Sequence, residues 1–214
     1  IHTRYEVSNN AGQDICDIVN NEGFDFLLVG SGISMSDSPD DIAATRYRTS
    51  FYNRYFKRFK APESWFYPGA LLKDKTKMFI ARSNCDVGVF INRNFVKATN
   101  TLVVISSEED LFLLDYTRTL LKATHGSVGI VAKMSTTTPG HDQILKELWD
   151  FVSSIPQTQL LPDKDLTPGL FNSYNFMLIG YNTWNDVSEH RKEALQKMPS
   201  TLILNKNRRS SSDN

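Results

Sequence analysis

Asp25–Ser34 reads DFLLVGSGIS, and Asn175–Asn182 reads NFMLIGYN. Each stretch is an apolar run that ends in glycine. Such a run is too short for a buried helix and is bounded by turn residues, so it reads as a strand buried on both faces of a mainly parallel sheet. The two runs also continue alike. DFLLVGSG leads through a helical pattern into CDVGVFINR, and NFMLIGYN leads through another into STLILNKNR. An internal repeat of one α/β unit is the simplest explanation.

Working outward, short apolar runs alternate with amphipathic segments along the whole chain, which predicts an α/β fold with a mainly parallel sheet. HTRYEVS is a predicted strand. NAGQDICDIVNNEG is a predicted helix with Ile15, Ile18 and Val19 on its inner face and Gly23 as its stop. LLKDKTKMFIARSN reads as helix, CDVGVFIN as strand and RNFVKATN as a linker. From Thr101 the chain runs through TLVVIS (strand), EEDLFLLDYTRTLLKATHG (helix, stopped by Gly126), SVGIVAK (strand), QILKELWDFVSSI (helix), QTQLLP (strand), YNFMLIGY (strand), NDVSEHRKEALQKM (helix) and STLILNK (strand). The predicted layout is a first unit over residues 1–97, carrying an insertion at about 35–67, a second unit over 98–207, and a polar tail over 208–214. The first unit lacks the opening strand–helix–strand of the second.

Composition narrows the function. The 214 residues carry 24 basic and 24 acidic side chains, a formal net charge of zero. That balance argues against a dedicated nucleic-acid binder. No apolar run approaches the roughly 20 residues that cross a bilayer. The two cysteines, Cys16 and Cys85, have no Cys or His partner at ligand spacing and read as small buried residues. The four histidines are scattered, so no metal site and no catalytic grouping is expected. Glu108, Glu109 and Asp110 read as acids that complement a helix N-terminus. Trp184 reads as core before ligand contact.

Two features could carry binding. Glycines at a strand's carboxyl end let backbone N–H groups approach an anion. Gly30, Ser31, Gly32, Gly69 and Ala70 are therefore the candidate ligand or nucleotide contacts, and an adenine nucleotide is the cofactor such a loop would hold. The alternative is a plain tight turn. The second feature is RYRTSFYNRYFKRFK, Arg46–Lys60, with six basic residues, six aromatics and no acid. Its aromatics recur at helical spacing. It reads either as a helix packed on the sheet or as a surface for acidic headgroups or a membrane-embedded partner, through Arg46, Arg48, Arg54, Lys57, Arg58 and Lys60. Stacking on bases is a third reading.

Taken in order, VGSG, PGALLKDKTKMFIARSN and CDVGVFINR resemble the end of a universal stress protein domain. CDVGVFINR is similar to the CSVGILVDRG variant found in the cytosolic tails of cation/proton antiporters of the family that includes the plant CHX exchangers. DLFLLDYTRTLLKATHGSVGIVAK resembles the opening helix and strand of the second stress-protein-like unit in those tails. The resemblance implies tandem Rossmann-like units, a regulatory rather than catalytic role, and a location on the cytoplasmic face of a membrane. It further implies that CDVGVFI and STLILNK, the last strands of the two units, pair across a unit–unit interface and cover two sheet edges. It also implies as partners a transport domain of the same polypeptide and a second copy of the chain. The alternative is a free-standing stress protein that binds ATP, with a nucleotide hydrolase of related fold behind it. The ATP-binding kind carries Gly-x-x-Gly, about nine residues, then Gly-Ser or Gly-Thr. Here Gly30 and Gly32 stand two apart, Gly69 comes after more than thirty residues, and Ala70 lacks the hydroxyl. In the second unit Gly180 has no second glycine after it, and the family's acidic residue falls near Ser106 and Ser107, with Glu108 close by.

Overall fold

The computed structural model describes residues 11–30, 77–134, 139–162, 166–190 and 197–207. HTRYEVS, the basic aromatic segment Arg46–Lys60 and the tail lie outside these. The chain forms two compact units: Ile1–Leu27, Gly32–Val87 and Asn207–Asn214 make one, and Leu28–Ser31 with Gly88–Lys206 make the other.

In the first of these, α1 (Ala11–Glu22) ends where Gly23 turns left-handed at φ 68°. Its buried face is Gly12, Cys16 and Val19, not the expected Ile15, Ile18 and Val19; the two isoleucines are half-buried. Asn20 explains the rotation. Its Nδ2 donates to the Arg82 carbonyl at 2.7 Å, and its Oδ1 accepts from the Asn84 N–H at 2.7 Å. This two-point bond turns the small residues of α1 toward the helical stretch at 77–82. There Gly12 faces Met78, and Cys16 Sγ accepts from Ser83 Oγ at 3.7 Å.

The strands are β1 (Phe26–Gly30), β2 (Asp86–Ile91), β3 (Asn100–Ile105), β4 (Ser127–Ala132), β5 (Thr158–Pro162), β6 (Phe176–Gly180) and β7 (Ser200–Asn205). They form one sheet in the order β1-β2-β7-β6-β3-β4-β5. β3 pairs in parallel with β4 and β6, β4 with β5, and β6 with β7. β2 neighbours β7, as expected of CDVGVFI and STLILNK. The Arg93 N–H, just past β2, donates to Ser200 Oγ at the start of β7 at 2.8 Å, so these two strands run antiparallel.

β3 shows why the apolar runs are continuous. Leu102, Val103, Val104 and Ile105 are all 0% exposed, because both faces are covered. On one face lie α2 (Leu113–Thr124) and α3 (His141–Ser154), packed through Leu113, Leu121, Ile144, Leu148 and Phe151. Each links parallel neighbours, stepping from β3 to β4 to β5. The chain then returns through the single turn α4 (Pro168–Phe171), which the sequence reading missed. β6 forms on the other side of β3, so α5 (Tyr181–His190) crosses on the opposite face. α5 starts directly after the strand, so YNTWND is helical and the helix opens at Tyr181 rather than at the predicted Asn185.

Two further expectations are corrected. β1 is not covered on both faces. It ends the strand order, with Leu28 59% and Phe26 36% exposed and only Val29 buried. The stop of α2 is His125, left-handed at φ 52°, with its N–H on the Leu121 carbonyl at 2.9 Å. Gly126 matters for space instead, since a Cβ there would run into the Thr99 carbonyl.

The amino ends of three parallel strands are tied by a polar clamp. The Asn175 N–H donates to the Asn100 carbonyl at 3.0 Å, and the Asn100 N–H donates to Asn175 Oδ1 at 3.1 Å. Asn175 Nδ2 reaches Thr99 Oγ1 at 2.6 Å, while the Ser127 N–H reaches the Thr99 carbonyl at 2.8 Å. Ser127 Oγ completes the set on Asn100 Oδ1 at 3.1 Å.

Candidate functional site

The strand order reverses between β3 and β6. In open α/β sheets, ligands enter the crevice beyond the carboxyl ends of strands at such a reversal. Here the crevice lies between Ser106–Ser107, which leave β3, and Gly180–Thr183, which join β6 to α5.

Asp110 fills it. A single 3-10 turn at Glu108–Asp110 folds the chain back after β3 and leaves Asp110 only 2% exposed. Its Oδ2 accepts from Thr183 Oγ1 at 2.7 Å and from the Ser106 N–H at 2.9 Å. Longer approaches come from Ser106 Oγ at 3.2 Å and the Ser107 N–H at 3.3 Å. An oxygen has two lone pairs, so the two short bonds are the principal ones. Ser106 Oγ also meets Thr183 Oγ1 in a close hydroxyl pair. Hydrogen bonds to an ionised acceptor are the strong kind. The second carboxylate oxygen lies against Gly180, where a Cβ would overlap it and come within 3.1 Å of Asp110 Cγ.

Other polar contacts rim the crevice. Lys133 Nζ, at the end of β4, pairs with Asp186 Oδ2 on α5 at 3.1 Å, reaching past the end of β3. His190 Nδ1 lies 3.3 Å from Asp186 Oδ1. Glu109 Oε2 accepts from Asn182 Nδ2 at 2.8 Å. Among the described residues, Tyr181 Oη is the buried side-chain polar atom that has no hydrogen-bond partner.

Of the residues singled out in the sequence, Gly30 sits exposed at the end of β1. A Cβ there would meet nothing within 4 Å, and Gly30 is not among the left-handed glycines. Ser31, Gly32, Gly69 and Ala70 lie outside the described residues, as do Arg46, Arg48, Arg54, Lys57, Arg58 and Lys60. His125 caps α2, His141 opens α3 beside Asp142, and His190 is the last described residue of α5. No group of three or more His, Cys, Asp or Glu side chains among the described residues could hold a metal. Trp184 is 3% exposed and belongs to the core under α5.

The sequence reads Asp110 as one of three acids that complement a helix N-terminus, and its side chain does accept from the N–H of Ser107, the N-cap of the 3-10 turn. What that reading missed is its burial between the two strand ends. The signal that could have found it is the hydroxyl-bearing partner set: Ser106 and Ser107 close ahead of it, and Thr183 three residues past the second strand's glycine.

No family model matches the chain, and no curated protein matches it. Among solved structures it is similar to a universal stress protein from Archaeoglobus fulgidus DSM 4304, with a TM-score of 0.51 and 12% sequence identity. The match covers 92% of this chain and 66% of that one, so the chain spans less than two thirds of that structure's length. The fold is universal-stress-protein-like: a Rossmann-like α/β sheet, mostly parallel.

Proposed function

We propose that the chain is a non-catalytic regulatory and dimerisation domain on the cytoplasmic face of a membrane, carried by a monovalent cation (sodium or potassium)/proton antiporter. The single observation that supports this best is the crevice filled by Asp110. A phosphate brought to Ser106, Ser107 and Thr183 would meet a carboxylate already seated on their donors. A unit of this fold whose ligand crevice is closed acts through its surfaces, and function resides in sites rather than in the fold. The attachment to a transporter draws its support from the sequence, through the paired patterns DFLLVGSG with CDVGVFINR and NFMLIGYN with STLILNKNR. Such a domain regulates only by contacting two transporter conformations unequally.

Two measurements separate this reading from a free-standing ATP-binding stress protein. The polypeptide detected in source cells by an antibody to residues 113–124 stays with alkali-washed membranes and exceeds 24.3 kDa. Recovery of a soluble chain of that mass sinks the antiporter assignment. Equilibrium dialysis of the chain against labelled ATP and ADP shows no saturable binding; micromolar saturation instead selects the stress-protein rival.

A further inference from the structure

The donors around Asp110 have the composition of an oxyanion cradle. Two backbone N–H groups and two hydroxyls converge on one oxygen at 2.7 to 3.3 Å. Ser106 and Ser107 come directly after β3, with Ser107 the N-cap of the turn that carries Asp110, and Thr183 lies in the first turn of α5. The carboxylate they hold arrives from a three-residue turn, and among the described residues no cation pairs with it.

Gly180 is the second and independent observation. It is not among the left-handed glycines, so its backbone makes no conformational demand for glycine. A Cβ is excluded there only by the Asp110 side chain, its second carboxylate oxygen above all. The bare backbone is shaped to the occupant of the crevice, not to the strand that carries it.

We propose that this crevice is a carboxylate-binding site whose resident ligand is the side chain of Asp110. The unit is thereby held permanently in a ligated form. A tethered carboxylate acts at an effective concentration in the millimolar range or above, so free carboxylates compete poorly while Asp110 is in place. With that side chain removed, a small free carboxylate takes the vacated position. This inference is independent of any attachment to a transporter.

The test is chemical rescue in the 214-residue chain. Asp110→Ala is melted in sodium formate and in sodium chloride at matched ionic strength, with sodium phosphate as a further arm. Formate is expected to raise the Tm of the variant saturably, on the order of 3–6 °C at tenfold excess over its Kd. The wild type and Asp110→Asn, whose amide refills the space, gain nothing over chloride. Equal melting of Asp110→Ala in formate and chloride overturns the proposal, and so does an equal formate gain in the wild type. A phosphate gain larger than formate's overturns the carboxylate assignment. If Asp110→Ala does not fold in chloride, Asp110→Ser, which leaves a smaller void, undergoes the same comparison, and the same outcomes support or overturn the proposal.

Discussion

Gly180→Ala isolates the contact on which the closed crevice depends. The added methyl would occupy the place of an Asp110 carboxylate oxygen, so the side chain must leave its donors. The two short bonds, from Thr183 Oγ1 and the Ser106 N–H, go with it. A hydrogen bond to a charged acceptor contributes a net 1.5–3 kcal/mol or so, which places the loss at roughly 3–6 kcal/mol. For a chain of this size that corresponds to a fall in Tm of roughly 6–24 °C. The loss is read by urea unfolding, with the buried Trp184 as fluorescence probe. The control is the same substitution in an Asp110→Ala background, where the methyl meets only the Cβ at position 110, at an ordinary contact distance of 3.9 Å. If the reasoning holds, Gly180→Ala there costs under about 1 kcal/mol, and the cycle returns a coupling of roughly 2 kcal/mol or more. Equal costs in both backgrounds would refute the account.

Other positions give sharp expectations. Gly126→Ala forces a Cβ against the Thr99 carbonyl and to 3.1 Å from that of Ala98, and should cost about 2 kcal/mol or more. Gly169→Ala, whose Cβ meets only Thr167 Oγ1 at 3.8 Å, should be within about 0.5 kcal/mol of neutral in the same denaturant assay. Trp184→Ala should cost roughly 3–5 kcal/mol, as befits a core residue, and a mild effect would reopen its reading as a ligand contact. Burial above all, then the charge of Asp86, pushes the Cys85 thiol above its usual 9.0. The neutral thiol is therefore favoured in the folded state, and the associated stability is complete below about pH 9 and lost as pH rises through the folded value. Cys85→Ala should flatten that alkaline decline, and iodoacetamide at about pH 8 should label Cys85 only on unfolding; rapid labelling of the native chain contradicts the burial.

The sheet is legible in the sequence where both faces are covered. Leu102–Ile105 and Phe176–Gly180 are apolar without alternation because helices lie above and below them. The same rule misread Phe26–Gly30, because an apolar run does not say how far along the strand order it falls. The face of α1 was misjudged by hydrophobicity, since Asn20 outweighs Ile15 and Ile18 by fixing two backbone groups. The crevice was legible in place but not in content. Ser106, Thr183 and Gly180 mark the ends of two strands, yet the partner that fills the space is an acid whose local sequence signals only a helix N-terminus. Only the turn at Glu108–Asp110 brings it inside, and three-residue turns leave almost no periodic trace.

The clamp of Thr99, Asn100, Ser127 and Asn175 gives the sheet a polarity in its motions. Their bonds hold the amino ends of β3, β4 and β6 flush. At the opposite end β3 and β4 share one backbone bond, from the Lys133 N–H to the Ile105 carbonyl at 2.7 Å, while β3 and β6 are joined beyond their ladder through Asp110 and Thr183, mounted on a short turn and on a helix. Partial opening should thus travel from the carboxyl end inward, like a zip with one end sewn. In amide hydrogen exchange, Ser106 and Ser107 should lose protection well before Asn100 and Asn175, so that the crevice can breathe while the sheet's register stays fixed.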